Sequence, residues 1–472
     1  MDWQTITFQD NTTQVYQKDP FSAGAQGEIY LSQDEQSAVK LFHLDPNEDQ
    51  RQRTERTRML IEDYNPTKGD PFWTELFAWP NKLVTKPRLG YRMDFAKGMR
   101  TMDHYIFPSS FRALKPEERG WFVGRLASAI KLVSAAQRMS SNGLSYPDFS
   151  HRNVMVEPFE GRMTLIDCDS IAVPQMMPAE VVGTFLYMAP ELCTRQQRLP
   201  TIITDRHALA TLLYLFLVGW HPLIGDKVHD PLDPDRDETL SRGTGALYVE
   251  NANDPSNHAK DQKVFASHLG YDIEAVFKRA FVDGLHDPSK RPQPSEWLTA
   301  LTRTYDRVVP CESPTCEWHS FVAQPTGRVI CPQCSTAISQ PCMLPFLYLL
   351  PHRRNSNADD YDDILDKTKH YIVGWPGRNL HEWHTVFGKP PPYNRPQRHP
   401  DVDPHASFLY DANSDNWYLK NVALPAMRYQ DAQRQWHPLA IDAVIPLASG
   451  LTLQFGNAPD YNRAKIKLMS TV

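Results

Sequence analysis

The stretch Tyr146-Pro-Asp-Phe-Ser-His-Arg-Asn-Val-Met-Val156 decides the fold that we expect for this chain. It places Asp148 five residues before Asn153, and a second acid, Asp167, follows Leu165-Ile166 fourteen residues after Asn153. This spacing alone is weak evidence, because an Asp in a loop is ordinarily a turn or cap residue. The interpretation therefore depends on the motifs that precede and follow the stretch.

Two motifs precede it. Residues 21–30 read Phe-Ser-Ala-Gly-Ala-Gln-Gly-Glu-Ile-Tyr, and glycines 24 and 27 allow the backbone to lie close to a ligand. Residues 37–42 read Ser-Ala-Val-Lys-Leu-Phe, which predicts a short apolar strand with one embedded cation, Lys40.

Three motifs follow it. Residues 182–191 read Val-Gly-Thr-Phe-Leu-Tyr-Met-Ala-Pro-Glu, residues 204–209 read Thr-Asp-Arg-His-Ala-Leu, and residues 289–292 read Ser-Lys-Arg-Pro. Together with the central stretch they make six elements in one order across about 270 residues. In this order they resemble a bacterial, eukaryotic-like (Hanks-type) Ser/Thr protein kinase, and the resemblance covers residues 1 to about 305.

The resemblance implies catalytic roles for these polar residues. Asp148 would orient the substrate hydroxyl, and Lys40 would contact the ATP phosphates. Asn153 and Asp167 would bind Mg²⁺ or Mn²⁺. The residues implied in the nucleotide site are Gly24, Gly27, Ile29, Ala38, Lys40, Glu55, Met93, Asp94 and Ala96.

Two of these implied roles concern local partners. Glu55 is the acid that we expect to pair with Lys40, with Glu48 and Glu62 as alternatives. Backbone groups of Asp94 and Ala96 would hydrogen-bond adenine. The resemblance also pairs Arg291 with Glu191.

The chain departs from the kinase pattern at several positions. Ser22 replaces the first glycine of the loop, Tyr146-Pro147 replace His-Arg, and Ser150 replaces the catalytic-loop Lys. Arg152 or His151 could supply part of the missing positive charge. Cys168-Asp169 replace Phe-Gly, and Asp169 could join the metal site or cap the next turn.

Composition and charge indicate a multidomain chain. Its 472 residues are too many for one ordinary core, and 50 Lys plus Arg against 56 Asp plus Glu give a net charge of −6. This balance does not favour a nucleic-acid surface. No apolar run reaches the roughly 18 to 20 residues of a membrane span, and residues 1–4 show no signal-peptide pattern, so we expect a cytoplasmic protein without membrane insertion.

Five of the seven cysteines lie between residues 311 and 342. Cys311 and Cys316 are separated by fourteen residues from Cys331 and Cys334, which is the layout of a zinc ribbon. Four protein ligands leave no open coordination position, so we expect a structural Zn²⁺. His319 or Cys342 could replace one of the four.

The last segment, residues 365–472, contains short runs of alternating apolar and polar residues, which predict a β-sandwich. Ile-Val-Gly374, Pro404-His405-Ala406 and Leu447-x-x-Gly450-x-x-Leu-x-Phe-Gly456 resemble a forkhead-associated domain, a family that reads phosphothreonine. Trp375 stands where that family has Arg, and Val402 stands where it has Ser. Arg378 could substitute, but a docking or packing module is the favoured interpretation.

The predicted fold class is α+β, with a bilobal protein-kinase fold, a small zinc ribbon and a C-terminal forkhead-associated-like β-sandwich. The predicted domains are residues 1–305 (N-lobe about 1–95, C-lobe about 96–305), 306–342, a linker at 343–364, and 365–472.

Two functions fit this organisation. The first is an ATP-dependent Ser/Thr kinase whose C-terminal domains recruit substrates or partners. The second is a pseudokinase scaffold that binds nucleotide without phosphotransfer. The domain order also resembles kinases of bacterial stress and tellurite-resistance clusters, which implies a PP2C-type phosphatase and a von Willebrand A-type protein as partners.

Overall fold

The computed structural model describes residues 2–43, 50–173, 176–228, 234–325, 328–351, 370–391 and 403–471. These residues form a mixed α+β structure with several antiparallel sheets, as the coarse fold class predicts. The chain divides into two compact units. The first comprises Met1–Gly120, Ser128–Gln262 and Phe277–Trp297, and the second comprises Trp121–Ala127, Lys263–Val276 and Leu298–Val472.

The first unit contains a seven-stranded antiparallel sheet in the order β2-β1-β6-β7-β5-β4-β3. Its strands are β1 Trp3–Phe8, β2 Thr13–Gln17, β3 Ser22–Ala23, β4 Gly27–Leu31, β5 Ser37–Phe42, β6 Lys82–Lys86 and β7 Gly90–Asp94. Every residue of β5 is buried, because β4 and β7 pair with it on both edges. This central strand carries Lys40.

A second, three-stranded antiparallel sheet in the same unit has the order β10-β9-β8. Its strands are β8 Arg100–Thr101, β9 Val154–Glu157 and β10 Arg162–Leu165. β9 follows Asn153 directly, and β10 ends two residues before Asp167. The β9-β10 hairpin therefore fixes the spacing of these two polar residues.

Helices make up most of the remaining regular structure. They are α1 Gln50–Glu62, α2 Pro71–Leu76, α3 Asp103–Ile106, α4 Pro108–Ala113, α5 Phe122–Ser141, α6 Pro190–Cys193, α7 Ile202–Val218, α8 Pro234–Arg242, α9 Tyr271–Lys278, α10 Pro294–Tyr305 and α11 Glu382–Thr385. Short 3₁₀ turns occupy Pro116–Glu118, Cys168–Ser170, Phe185–Tyr187, Pro255–Asn257, Ala266–Leu269 and Pro288–Lys290, and one π-turn occupies Arg279–Asp283.

Helix α7 illustrates how the sequence sets its own boundaries. It is apolar on every side and almost entirely buried, as expected of a central helix. The N–H of Thr201 donates to Thr204 Oγ1 at 2.8 Å where the helix begins. Gly219 ends it in the left-handed conformation with φ 77°, which glycine adopts without steric cost.

The second unit contains a small pair of strands and two larger sheets. The small pair is β11 Val308–Pro310 and β12 Ser320–Val322. The six-stranded sheet has the order β14-β13-β22-β21-β18-β19, and the four-stranded sheet has the order β15-β16-β17-β20. The strands are β13 Met343–Pro351, β14 Tyr371–Val373, β15 Asn379–Leu380, β16 Ala406–Asp411, β17 Asn416–Asn421, β18 Arg428–Gln430, β19 Trp436–Pro438, β20 Val444–Pro446, β21 Thr452–Gln454 and β22 Asn462–Ser470.

Strand β13 differs from the sequence prediction, which assigned residues 343–364 to a linker. Residues 343–351 instead pair with β22 along their whole length, from Met343 opposite Ser470 to Pro351 opposite Asn462. The run is strongly apolar, and Leu344, Phe346 and Leu347 are fully buried. Burial of this apolar run in the sheet explains the difference. The rest of the predicted linker, 352–364, lies outside the described residues.

No helix in the described ranges combines the length and apolarity that a membrane-spanning helix requires.

Candidate functional site

Lys40 lies at the centre of a buried charged cluster. Its side chain extends from β5 and is only 6% exposed. Its Nζ donates to Asp167 Oδ1 at 2.5 Å, to both carboxylate oxygens of Asp169 at 3.0 Å, and to Gln26 Oε1 at 3.3 Å. The structure thus joins the predicted phosphate-binding Lys to the predicted metal-binding Asp across 127 residues of sequence.

The charges of this cluster shift one another's pKa values. Burial opposes ionisation of Lys40, but the neighbouring Asp169 and Asp167 carboxylates outweigh it and raise the Lys40 pKa. The Lys40 ammonium likewise lowers the pKa of Asp169 despite its burial. Burial and the charge of Asp169 raise the pKa of Asp167 to about 6. Lys40 forms two ion pairs, one with Asp169 and one with Asp167. The pair with Asp169 is therefore the more fully ionised.

Asp169 reaches Lys40 because the backbone reverses after Asp167. Asp167 adopts a left-handed conformation with φ 56°, and the 3₁₀ turn Cys168–Ser170 follows it. Tyr91 OH also donates to Asp169 Oδ1, at 3.0 Å. Sequence reasoning considered Asp169 only as a metal ligand or cap. A signal was available in the sequence, since Asp167 and Asp169 lie between the apolar residues 165–166 and 171–173, and buried acids pair with a cation or bind a metal.

Glu55, the predicted partner of Lys40, does not contact it. The Glu55 side chain is 54% exposed and forms an ion pair with Arg58 on the same helix. Its neighbour Arg56 is 8% exposed and faces inward, because adjacent residues on a helix point in different directions. Of the two alternative partners, Glu62 is exposed and Glu48 lies outside the described residues.

Asp148 and Asn153 meet as their spacing predicts. Asn153 Nδ2 donates to Asp148 Oδ2 at 2.7 Å and to the Asp148 carbonyl at 3.1 Å. Asp148 Oδ1 accepts from the N–H and hydroxyl of Thr184 at 2.9 and 2.6 Å. Asp148 itself is only partly buried. These bonds hold its carboxylate in one orientation.

Two further hydrogen bonds connect this loop to its surroundings. The N–H of Tyr146 donates to Asp205 Oδ2 at 2.8 Å, and Tyr146 OH donates to the Ile166 carbonyl at 2.5 Å. The N–H of Ile166 in turn donates to the Asn153 carbonyl at 3.0 Å. The backbone around Asp148 is thereby tied to the backbone that leads to Asp167.

The residues proposed to replace the missing catalytic-loop Lys have different environments. His151 is buried, and its Nδ1 lies 2.5 Å from Tyr187 OH. Burial lowers its pKa, so the imidazole is a poor source of positive charge. Arg152 is exposed, and Ser150 is fully buried. Of His151 and Arg152, Arg152 is therefore the residue whose positive charge is exposed to solvent.

The predicted nucleotide site includes the apolar residues Ile29, Ala38 and Met93 and the glycines Gly24 and Gly27. Ala38 and Met93 belong to a buried cluster against which Ile29, Phe95 and Ile166 pack. A side chain at Gly27 would lie 2.5 Å from the Leu41 carbonyl, so strand pairing already requires a glycine there. A Cβ at Gly24 would meet only the Gly27 carbonyl, at 3.9 Å.

A cavity of about 970 Å³ lies beside the predicted hinge. Asp94 and Ala96 line it together with Lys131 and Arg162. Lys40, Asp148 and Asp167 are not among its lining residues. This cavity is therefore separate from the charged cluster.

Glu191 and Arg291 form the ion pair that the kinase resemblance implies. Both carboxylate oxygens of Glu191 accept from the Arg291 guanidinium at 2.7 Å. The side chains are 10% and 1% exposed. Two parallel charge-assisted bonds give this buried pair a defined geometry.

Four cysteines of the second unit form a cluster suited to a metal. The Sγ atoms of Cys311, Cys316, Cys331 and Cys334 all lie within 4.8 Å of one another. Cys311 and Cys334 are 3.5 Å apart, and Cys316 and Cys331 are 3.7 Å apart. Tetrahedral Zn–S bonds of about 2.3 Å require S–S distances of about 3.8 Å, which these thiols nearly match. The set can therefore hold a structural metal such as zinc.

The two alternative zinc ligands are placed differently. Cys342 is exposed, and its Sγ lies 3.8 Å from the Ser339 carbonyl. The ring of His319 stacks at a tilt against Trp121, with centroids 5.8 Å apart. Neither belongs to the group of thiols described above.

Arg378, the candidate substitute for the missing phosphate-binding Arg, bonds to backbone. Its guanidinium donates to the carbonyls of Asp306 at 2.8 Å, Val373 at 2.5 Å and Val308. Trp375 is partly buried, and Val402 lies outside the described residues. The Arg378 contacts give this residue a structural role within the second unit.

Comparison of the chain with protein-family models and with curated proteins finds no match.

Proposed function

We propose that this chain is a Ser/Thr protein kinase that transfers the γ-phosphoryl group of ATP to protein hydroxyls. The observation that carries the proposal is the convergence of Lys40 with Asp167 in one charged cluster while Asp148 is held by Asn153 and Thr184. Motifs more than a hundred residues apart in sequence thereby supply a cation, a metal-type carboxylate and an oriented acid.

Each of these side chains has a role in the proposed phosphoryl transfer. Asp148 accepts a hydrogen bond from the substrate hydroxyl, whose oxygen forms a bond to the γ-phosphorus as the bond to the bridging oxygen of ADP breaks. The hydroxyl proton leaves toward Asp148 or water, and ADP is released. Lys40 contacts the phosphates, and the chain from β3 to β4, with Gly24 and Gly27, covers them.

The oxygen atoms of Asn153 and Asp167 fit Mg²⁺, which prefers carboxylate and carbonyl ligands. When bound, this ion neutralises charge on the phosphates. The chain would hold Asp167 for this purpose through the left-handed turn that precedes Cys168–Ser170.

The finer architecture follows from the same proposal. Residues 1–305 would be a bilobal kinase domain, 306–342 a zinc ribbon, and the two large sheets of the second unit a forkhead-associated-like module. Because Arg378 is engaged with backbone carbonyls, we assign that module to docking of protein partners, such as the phosphatase and von Willebrand A-type protein implied by domain order.

One observation favours the alternative function, a nucleotide-binding scaffold. Ser150 stands at the position of the catalytic-loop Lys and is fully buried, so it brings no positive charge to the transferring phosphoryl group. Arg152, the exposed cation of the same loop, would have to supply this charge.

Phosphate transfer from γ-labelled ATP with Mg²⁺ distinguishes the two functions. Asp148→Asn keeps the size of the side chain but removes the carboxylate, and we expect labelling to fall by roughly 10²- to 10⁴-fold. Asp63→Asn, at an exposed position, is the matched control. Equal labelling by wild type and Asp148→Asn would contradict the kinase proposal. A wild type that is stabilised by Mg²⁺-ATP but transfers no phosphate would establish the scaffold.

A further inference from the structure

Lys40 has two acidic partners, and they are placed for different tasks. Asp167 offers one oxygen to Lys40, and its side chain is 37% exposed, so solvent and ions can approach it. Asp169 offers both oxygens at 3.0 Å and is 9% exposed. Both carboxylate oxygens of Asp169 therefore contact Lys40.

Tyr91 completes the surroundings of the Asp169 carboxylate. It lies directly opposite Lys40 in the pairing of β5 with β7, and its hydroxyl donates to Asp169 Oδ1. Tyr91 is fully buried, so its hydroxyl requires this partner. Asp169 thus accepts from a cation and a neutral donor on two adjacent strands.

Arg56 of helix α1 holds the backbone on which Asp169 lies. Its Nε donates to the Asp169 carbonyl at 3.2 Å, and its two terminal nitrogens donate to the carbonyls of Ile171 at 2.5 Å and Pro178 at 3.1 Å. The guanidinium is planar and rigid, so three simultaneous bonds fix the carbonyls of Asp169, Ile171 and Pro178 relative to one another.

We propose that Asp169 is the positioning residue of Lys40, and that Tyr91 and Arg56 hold Asp169 in place. An acid on helix α1 is then unnecessary, and the helix acts on Lys40 indirectly, through Arg56 and the turn 168–170. One short turn thereby positions both the phosphate-binding Lys and the metal-binding Asp. This inference rests on the proposed kinase function, in which Lys40 contacts ATP.

Steady-state kinetics of the full chain test the role of Asp169. Asp169→Asn is expected to raise the KM for ATP and lower kcat/KM on the order of 10- to 100-fold, as for other residues that orient a functional group. Asp169→Glu should restore part of the loss, and Asp63→Asn is the matched control. The loss with Asp169→Asn should exceed the loss with Glu55→Gln.

Three results would overturn the proposal. A higher Mg²⁺ requirement with an unchanged KM for ATP would make Asp169 a metal ligand. A lower kcat with an unchanged KM would indicate only a smaller folded fraction. A larger loss with Glu55→Gln would return the role to helix α1. If Asp169→Asn does not fold, Tyr91→Phe gives a milder version of the same test.

Two measurements do not require catalysis, so they separate this inference from the kinase proposal. In a double-mutant cycle of unfolding, Lys40→Met and Asp169→Asn should be strongly non-additive, and additive effects would refute the pairing. Arg56→Lys should speed hydrogen exchange of residues 169–173, whereas Arg58→Lys, at an exposed position, should not. Unchanged exchange in Arg56→Lys would refute the role of α1.

Discussion

The cluster around Lys40 contains both signs of charge, whereas the cluster of four cysteines contains only groups that become negative. Lys40 lies between two carboxylates, so the cluster is stabilised by its own members. Burial raises the pKa of Cys311 to about 12, and each thiolate would repel the others. The first cluster can therefore exist within the folded chain alone, while the second requires an external cation to ionise fully.

The largest effect that we expect comes from removing this cation. Cys331→Ser, or a strong chelator, should lower the free energy of unfolding by several kcal/mol, on the order seen when structural zinc is lost. Thermal unfolding and metal content should change together. Cys342→Ser is the matched control, since Cys342 is exposed and outside the cluster. Equal stability of both variants would mean that the thiols do not depend on a metal.

The second prediction concerns another buried ion pair in which the two charges balance each other, Glu191 with Arg291. Glu191→Gln leaves Arg291 buried without its counter-ion, which should cost about 3–5 kcal/mol. The exposed pair of Glu296 with Arg279 is the control, because its side chains are 39% and 42% exposed. Glu296→Gln should cost at most about 1 kcal/mol. Urea unfolding measures both, and similar losses would show that burial does not decide the size of the effect.

Asp205 is a buried acid whose charge is not balanced in this way. It accepts a hydrogen bond from the N–H of Tyr146, and burial raises its pKa from 3.8 to about 7. The folded state therefore binds this proton more tightly than the unfolded state does. Stability from this group is greatest at low pH and is lost as pH rises from 3.8 to about 7.

Asp205→Asn should remove this dependence. In this window the wild-type contribution falls by up to about 1.4 kcal/mol per pH unit, whereas the variant should lack that slope. Chemical unfolding at several pH values measures the difference between the two proteins. Parallel curves would mean that Asp205 stays ionised in the folded state.

The smallest effect concerns Gly27 of β4, the strand that pairs with the Lys40-bearing strand β5. Gly27→Ala would place a Cβ 2.5 Å from the Leu41 carbonyl, so the β4-β5 pairing must shift, at a cost of about 1–3 kcal/mol. Gly24→Ala meets only ordinary contact and should be nearly neutral for stability. If Gly27→Ala and Gly24→Ala have the same melting temperature, strand pairing does not explain why position 27 is a glycine. A selective loss of ATP binding in Gly24→Ala would instead link Gly24 to the phosphates.

The sequence alone determined the features that depend on short spacing. The cysteines form two pairs of short spacing, 311 with 316 and 331 with 334, and Asp148 lies five residues from Asn153, so local backbone geometry brings the members of each pair together. Alternation of apolar and polar residues likewise predicted strands at 370–374, 406–410 and 416–420, which correspond to β14, β16 and β17. The sequence pattern did not predict β13, because an apolar run beside a polar segment does not reveal whether a partner strand will pair with it.

Only the tertiary structure decided which acid meets Lys40. The sequence offers several acids before and after Lys40, and the kinase resemblance indicates Glu55 by its position. Helix α1 instead points Arg56 inward and Glu55 toward solvent, while the left-handed turn at Asp167 brings Asp169 back to the cation. Electrostatic pairing in a buried site depends on side-chain direction and on contacts across 129 residues, which local spacing does not specify.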